Sequence, residues 1–242
     1  DARAIAAADL VVVNGLGFEG WIDRLIEASG YRGPVVVAST GITPLALSDG
    51  HGHSHGHAHG RGSAATEPDP HAWQDVRNVI GYVETIAGAL AAVDPSGADA
   101  YARAAAGYVA ELEALDAEIR SALGAIPARQ RKVITSHDAF GYFARAYGVE
   151  FLAPVGVSTE AEASAADVAR LVRQIRKEGA RAVFVENVSD RRLIQQIARE
   201  TGAKVGSTLY SDALSGPEGP AATYVSMMRH NATAITGALA GS

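Results

Sequence analysis

The 242-residue sequence contains no cysteine. Disulfides, iron–sulfur clusters, thiolate zinc sites and cysteine nucleophiles are therefore excluded, and any metal must be held by His and carboxylate. The same absence leaves the compartment open, because a chain without thiols suits oxidising and reducing surroundings equally. Long apolar runs are missing too, with no stretch approaching the ~20 residues of a membrane span. Positive charge is in deficit: 21 Lys and Arg stand against 27 Asp and Glu, for a formal net charge of -6. That balance lacks the basic face of a nucleic-acid binder and leaves a cationic ligand electrostatically acceptable. The first residue is Asp1 rather than Met. With no signal segment ahead of it, the chain reads as processed or cut, and its start declares no location.

What is present suits a folded globule with a sizeable core, at 48% hydrophobic and 20% charged residues. Leu10-Val11-Val12-Val13 and Val35-Val36-Val37 read as short buried parallel strands. Between them Trp21, Ile22, Leu25 and Ile26 give a helical apolar face. A second helix is expected just after Asp69-Pro70-His71, carried by Val76, Ile80, Val83, Ile86 and Leu90 and stopped by Pro95. Tyr101, Ala105, Tyr108, Leu112, Leu115, Ile119 and Leu123 then recur every three or four residues, the mark of a one-sided helix of roughly 25 residues. Past Pro127 the reading alternates: strand 132–135, helix 139–147, strand 150–152, helix 163–177, strand 182–185, helix 190–200, strand 204–209, helix 218–239. Such an order makes an α/β protein with parallel sheets. The expected architecture is two βα lobes, 1–96 and 125–242, joined by a long connecting helix over 97–124, with a ligand cleft between them.

In open α/β sheets ligands bind beyond the carboxyl ends of the strands. His137, Glu186 and Asp212 fall there in the second lobe, and His71 opens a helix of the first. Two imidazoles and a carboxylate suit zinc, with a fourth position left over. Taken alone, each histidine reads equally as an ordinary polar residue near a helix start. Glu186 reads as an acceptor orienting an imidazole, or as a helix cap or ion-pair partner. His230 reads as a surface or packing residue, and Phe140, Tyr142, Phe143 and Tyr147 as core. Residues 41–70 form a loop centred on His51, His53, His55, His57 and His59, spaced by Gly, Ser and Ala. Clustered imidazoles without apolar neighbours read as an auxiliary site that recruits metal weakly and passes it on, with a plain low-complexity loop as the alternative.

Four segments occur in order: 8–21, including Asn14-Gly15-Leu16-Gly17-Phe18-Glu19-Gly20-Trp21; Asp69-Pro70-His71-Ala72-Trp73; Ser136-His137-Asp138-Ala139-Phe140-Gly141-Tyr142-Phe143; and Tyr210-Ser211-Asp212. Together they resemble the zinc and manganese solute-binding proteins of ABC transporters, the cluster A-I group, over nearly the whole chain. The resemblance implies a monomeric periplasmic protein that binds Zn2+ between two lobes and delivers it to a membrane permease. It assigns His71, His137 and Asp212 as ligands. Manganese-type members carry Glu at the position of His137, so this histidine and the His-rich loop point to the zinc type. The details are closest to the Azt-type proteins, which are loaded by a periplasmic zinc metallochaperone. One departure stands out: the family's first His ligand and opening strand would lie ahead of Asp1. Rival readings are a manganese-binding member, a metallohydrolase with Glu186 as base for bound water, and an interaction protein whose His tract is a passive metal sink.

Overall fold

The computed structural model describes residues 1–46, 68–154, 164–178, 180, 182–188 and 191–240. His51, His53, His55, His57 and His59 lie outside the described residues. On either side of them, the described ends of the expected loop are tied to each other. Ala46 bridges Pro68 in antiparallel fashion, and Asp69 N–H donates to Leu45 O at 2.9 Å. The loop predicted over 41–70 is therefore structured at its margins.

The first half runs α1 (Ala2–Ala6), β1 (Val11–Val13), α2 (Ile22–Ser29), β2 (Val35–Val37). The two strands pair in parallel, Val11 opposite Val35. Their expected burial is not realised: Val13 is enclosed, but Val12, Val35 and Val37 are exposed. A β-branched triplet favours the extended backbone whether or not both faces are covered, so an apolar run alone cannot report burial. Nor does α2 enclose any residue, and Trp21, 56% exposed, precedes the helix instead of packing on its face.

A 3-10 turn, Ala72–Gln74, intervenes before α3 (Val76–Val93), which starts where the Asp75 side chain accepts from Arg77 N–H at 3.0 Å. This helix corrects the expectation that no segment could span a membrane, since its 18 residues and mean hydropathy of 1.2 meet that test by length and composition. Here it packs along α4 (Ala98–Gly124), with Val76 and Val79 enclosed in the core. The 27 residues of α4 realise the long helix foreseen from its apolar period. Its buried Leu112, Leu115, Ile119 and Leu123 share one cluster with Val76 and Val79 of α3, Phe140, and Phe143 of the helix that follows. Each such side chain contributes about 1.5–3 kcal/mol by burial. Asp116, on the same helix, accepts from Arg77, Arg120 and Tyr147. The connecting helix is thereby bonded to α3 and to the second half by charge as well as by packing.

The second half comprises β3 (Lys132–Ile134), α5 (Gly141–Tyr147), β4 (Glu150–Leu152), α6 (Ala165–Glu178), β5 (Ala182–Val183), α7 (Arg191–Thr201), β6 (Lys204–Val205) and α8 (Tyr224–Ala240). Its strands pair in the order β4-β3-β5-β6, all parallel. The paired stretches of β5 and β6 are shorter than predicted, but a bridge from Glu186 to Leu209 continues their association toward the carboxyl ends. The last helix begins at Tyr224 and not near 218, because Pro217, Gly219 and Pro220 favour turns over the apolar period that follows.

Candidate metal centre

His71 stands at the end of the Asp69-Pro70 step, where it opens the 3-10 turn. One oxygen of Asp69, Oδ1, accepts the His71 backbone N–H at 2.9 Å and lies 2.8 Å from ring Nδ1. The carboxylate thus fixes both the turn and the ring. Asp69 is itself held by α5: Tyr142 OH donates to its carbonyl at 3.0 Å, and Gly141 gives its side chain room. A Cβ on Gly141 would stand 2.7 Å from Asp69 Oδ2. Replacing Gly141 by Ala is therefore expected to push Asp69 off His71 and to weaken metal binding by about 10–100-fold, the usual cost of disturbing a ligand's outer partner. Chelator competition on the purified variant checks this.

His137 follows β3 and is held by a similar device. Ser136 N–H and His137 N–H both donate to Glu186 Oε1, at 2.7 and 2.9 Å. The other oxygen, Oε2, lies 2.7 Å from His137 Nδ1. Each imidazole therefore turns Nδ1 to its own carboxylate and Nε2 inward. There Asp212, beyond β6, presents Oδ1 at 3.3 Å from His71 Nε2 and Oδ2 at 3.2 Å from His137 Nε2. One ligand atom from each of the three residues lies within 4.8 Å of the others. Both histidines are 1% exposed. His137 Nε2 and Asp212 Oδ1, although close to opposite charge, have no aligned hydrogen bond. Buried polar atoms without aligned partners are costly unless a further group satisfies them, and a divalent cation suits two imidazoles and a carboxylate.

Without metal the charges pair among themselves. Burial opposes protonation of His71, but Asp212 and Asp69 outweigh it and hold the ring above its ordinary pKa. Burial likewise works against His137, and Asp212 and Glu186 together push it up to about 10. Burial would raise Asp212, yet its close pairing with the His137 and His71 rings holds it well below the usual carboxylate range. The metal-free centre is accordingly a closed set of imidazolium–carboxylate pairs, and a cation entering it must displace protons.

The residues singled out by sequence fall as follows. His71, His137 and Asp212 converge from three distant segments, and Glu186 backs His137. With Oε1 taken by two backbone N–H groups and Oε2 facing the ring, Glu186 is poorly placed as a base for water. His230 lies on α8, outside this cluster, with Nε2 2.8 Å from Thr208 O and its ring edge-on to Tyr210. Phe140, Tyr142, Phe143 and Tyr147 are buried, as expected of core. Three neighbours went unread. Asp69 could have been inferred from a carboxylate two residues before a candidate ligand. Phe18 packs edge-on to Trp73 at 4.8 Å, and Trp73 to His71 at 5.3 Å. No local signal marks those aromatic contacts.

In fold the chain is similar to the periplasmic zinc-binding protein TroA of Treponema pallidum, with a TM-score of 0.87, 30% identity, and coverage of 99% of this chain and 83% of that one. In sequence it is 34% identical to the iron-binding protein YfeA of Yersinia pestis, over 92% of this chain and 67% of the relative. It is 33% identical to the manganese-binding lipoprotein MntA of Halalkalibacterium halodurans, over 96% and 72%. Fold and likeness define the class, the metal-binding substrate-binding proteins of ABC transporters, which are carriers and not enzymes. Within that class the chain belongs to the family described as zinc-uptake complex component A, periplasmic, whose model matches residues 1–238.

Proposed function

We propose that this protein is a periplasmic zinc carrier that takes up Zn2+ between His71, His137 and Asp212 and surrenders it to the permease of an ABC transporter. The carrying observation is the convergence of those three side chains, with both inward nitrogens directed at one carboxylate. Zinc is favoured over the harder divalent ions by two imidazoles set against a single carboxylate; manganese draws more strongly on oxygen donors. Iron and manganese remain the second reading, supported by the names of YfeA and MntA. The division into lobes 1–96 and 125–242 around helix 97–124 belongs to the same proposal, as does the monomeric state. So does kinship with the Azt-type proteins, in which a periplasmic metallochaperone supplies the zinc. His51, His53, His55, His57 and His59 are assigned to recruitment, since a polar tract without apolar anchors suits transient capture better than retention.

Equimolar zinc, manganese and ferrous iron, offered anaerobically and followed by exhaustive dialysis and elemental analysis, test this reading. One zinc per chain is expected. Retention of manganese or iron in its place would overturn the zinc assignment. Deleting residues 51–59 is expected to leave the retained zinc unchanged and to slow its uptake from a donor protein.

A further inference from the structure

The turn that carries Asp212 belongs to no helix and no strand, yet side chains hold the main-chain N–H and carbonyl of Tyr210 and Ser211 and the carbonyl of Ala213. Asn231, fully buried on α8, accepts from Tyr210 N–H at 2.9 Å and donates to Tyr210 O at 2.7 Å. Asn187 accepts from Ser211 N–H at 3.3 Å and donates to Ala213 O at 3.1 Å. Ser211 O then receives two donors from the other half of the chain, Trp73 Nε1 at 2.9 Å and Gln74 Nε2 at 3.0 Å. These two residues follow His71 by two and three positions on its own 3-10 turn. Tyr224 OH donates to Trp73 O at 2.7 Å, tying that turn back to α8. The circuit is closed: α8 grips the Asp212 turn through Asn231 and grips the His71 turn through Tyr224, while Trp73 and Gln74 join the two.

We propose that Trp73 and Gln74, braced by Tyr224 and Asn231, are positioning residues that lock the Asp212 turn to the His71 turn and thereby set how long the metal stays. The inference rests on the reading of His71, His137 and Asp212 as ligands. A fully buried amide such as Gln74 is expensive to keep in place of an apolar side chain of similar size, and its partner is the carbonyl immediately ahead of Asp212. The physical effect is preorganisation. Where the turn frays, only the fraction of molecules with Asp212 in place binds fully, and the apparent dissociation constant rises by the inverse of that fraction.

The test uses the full chain loaded with zinc, with release followed in stopped flow against excess chelator. Gln74→Met removes the donor with little change in volume, and Tyr224→Phe removes only the tether on Trp73. Each is expected to speed release roughly three- to ten-fold, the worth of one neutral hydrogen bond, with the association rate unchanged. Ile119→Val, in the core of α4 and away from the turn, serves as the control, lowering the melting temperature without speeding release. Should folded Gln74→Met and Tyr224→Phe both release zinc no faster than Ile119→Val, the positioning role is overturned while the ligand reading stands. If Asp212→Ala keeps tight zinc, the ligand reading falls and this inference falls with it.

Discussion

His137→Ala is expected to abolish tight metal binding, weakening it by more than the 10–100-fold that loss of an outer partner costs. Three features make the effect large. The ring is 1% exposed, so its removal opens an enclosed position and not one that solvent already shares. Its Nε2 is, among the described residues, one of two imidazole nitrogens paired with Asp212. Its removal also strands Glu186 Oε2, a buried carboxylate oxygen with no hydrogen-bond partner among the described residues. Glu186→Gln should fall between wild type and His137→Ala, because both backbone N–H groups keep an acceptor while the ring loses its charged partner. Calorimetric titration with zinc, beside a melting curve of each apo variant, separates ligand loss from unfolding. Wild-type affinity in folded His137→Ala would remove the basis of the carrier assignment.

The second large effect is on pH. His137 carries a folded pKa of about 10 against 6.5 for an ordinary ring, so its pairing stabilises the metal-free fold fully below 6.5 and is lost as pH rises through 10. Asp212, depressed from 3.8, contributes above that value and loses its contribution as pH falls through its lowered folded value. Between these limits, roughly pH 4 to 6.5, the proton-paired centre is at its best and metal must compete with it. Each proton displaced costs a factor of ten in affinity per pH unit, so His137 alone predicts that zinc affinity rises about tenfold per unit from pH 5.5 to 8.5. His71, also raised, steepens this wherever it too must surrender a proton. Titrations in buffers of different ionisation enthalpy should register proton release on binding. An affinity flat across this range would refute proton competition.

How much of this was legible beforehand depends on the range of the interactions involved. The long helix was readable because Leu112, Leu115, Ile119 and Leu123 repeat at the helical period and bury the face that the period marks. The parallel order of strands was readable for a similar reason. Strand lengths were not, since pairing at Glu186 and Leu209 depends on a neighbour some twenty residues away. Exposure of Val12 and Val35 was equally hidden, because covering layers are tertiary facts. His137 and Asp212, the proposed ligands, could be placed by the rule that loops after parallel strands face the crevice. Their partnership with His71 across 66 and 141 positions needed the resemblance to propose it and the fold to bring them near. Gln74 gave no hint at all, for its significance lies in a single carbonyl 137 positions away.

The helix α4 carries an implication for how the polypeptide could be divided. Its apolar stripe completes a cluster that draws on α3, α5 and α8 together, and Asp116 binds Arg77 on one side and Tyr147 on the other. The second half keeps a separate cluster around Ile134, Val183 and Ile194, but the interior beneath α4 is completed by neither half alone. A gene bisected within this keel would yield two fragments with greasy, unhoused surfaces, so complementation of separately produced pieces should require co-expression and not mixing of preformed parts.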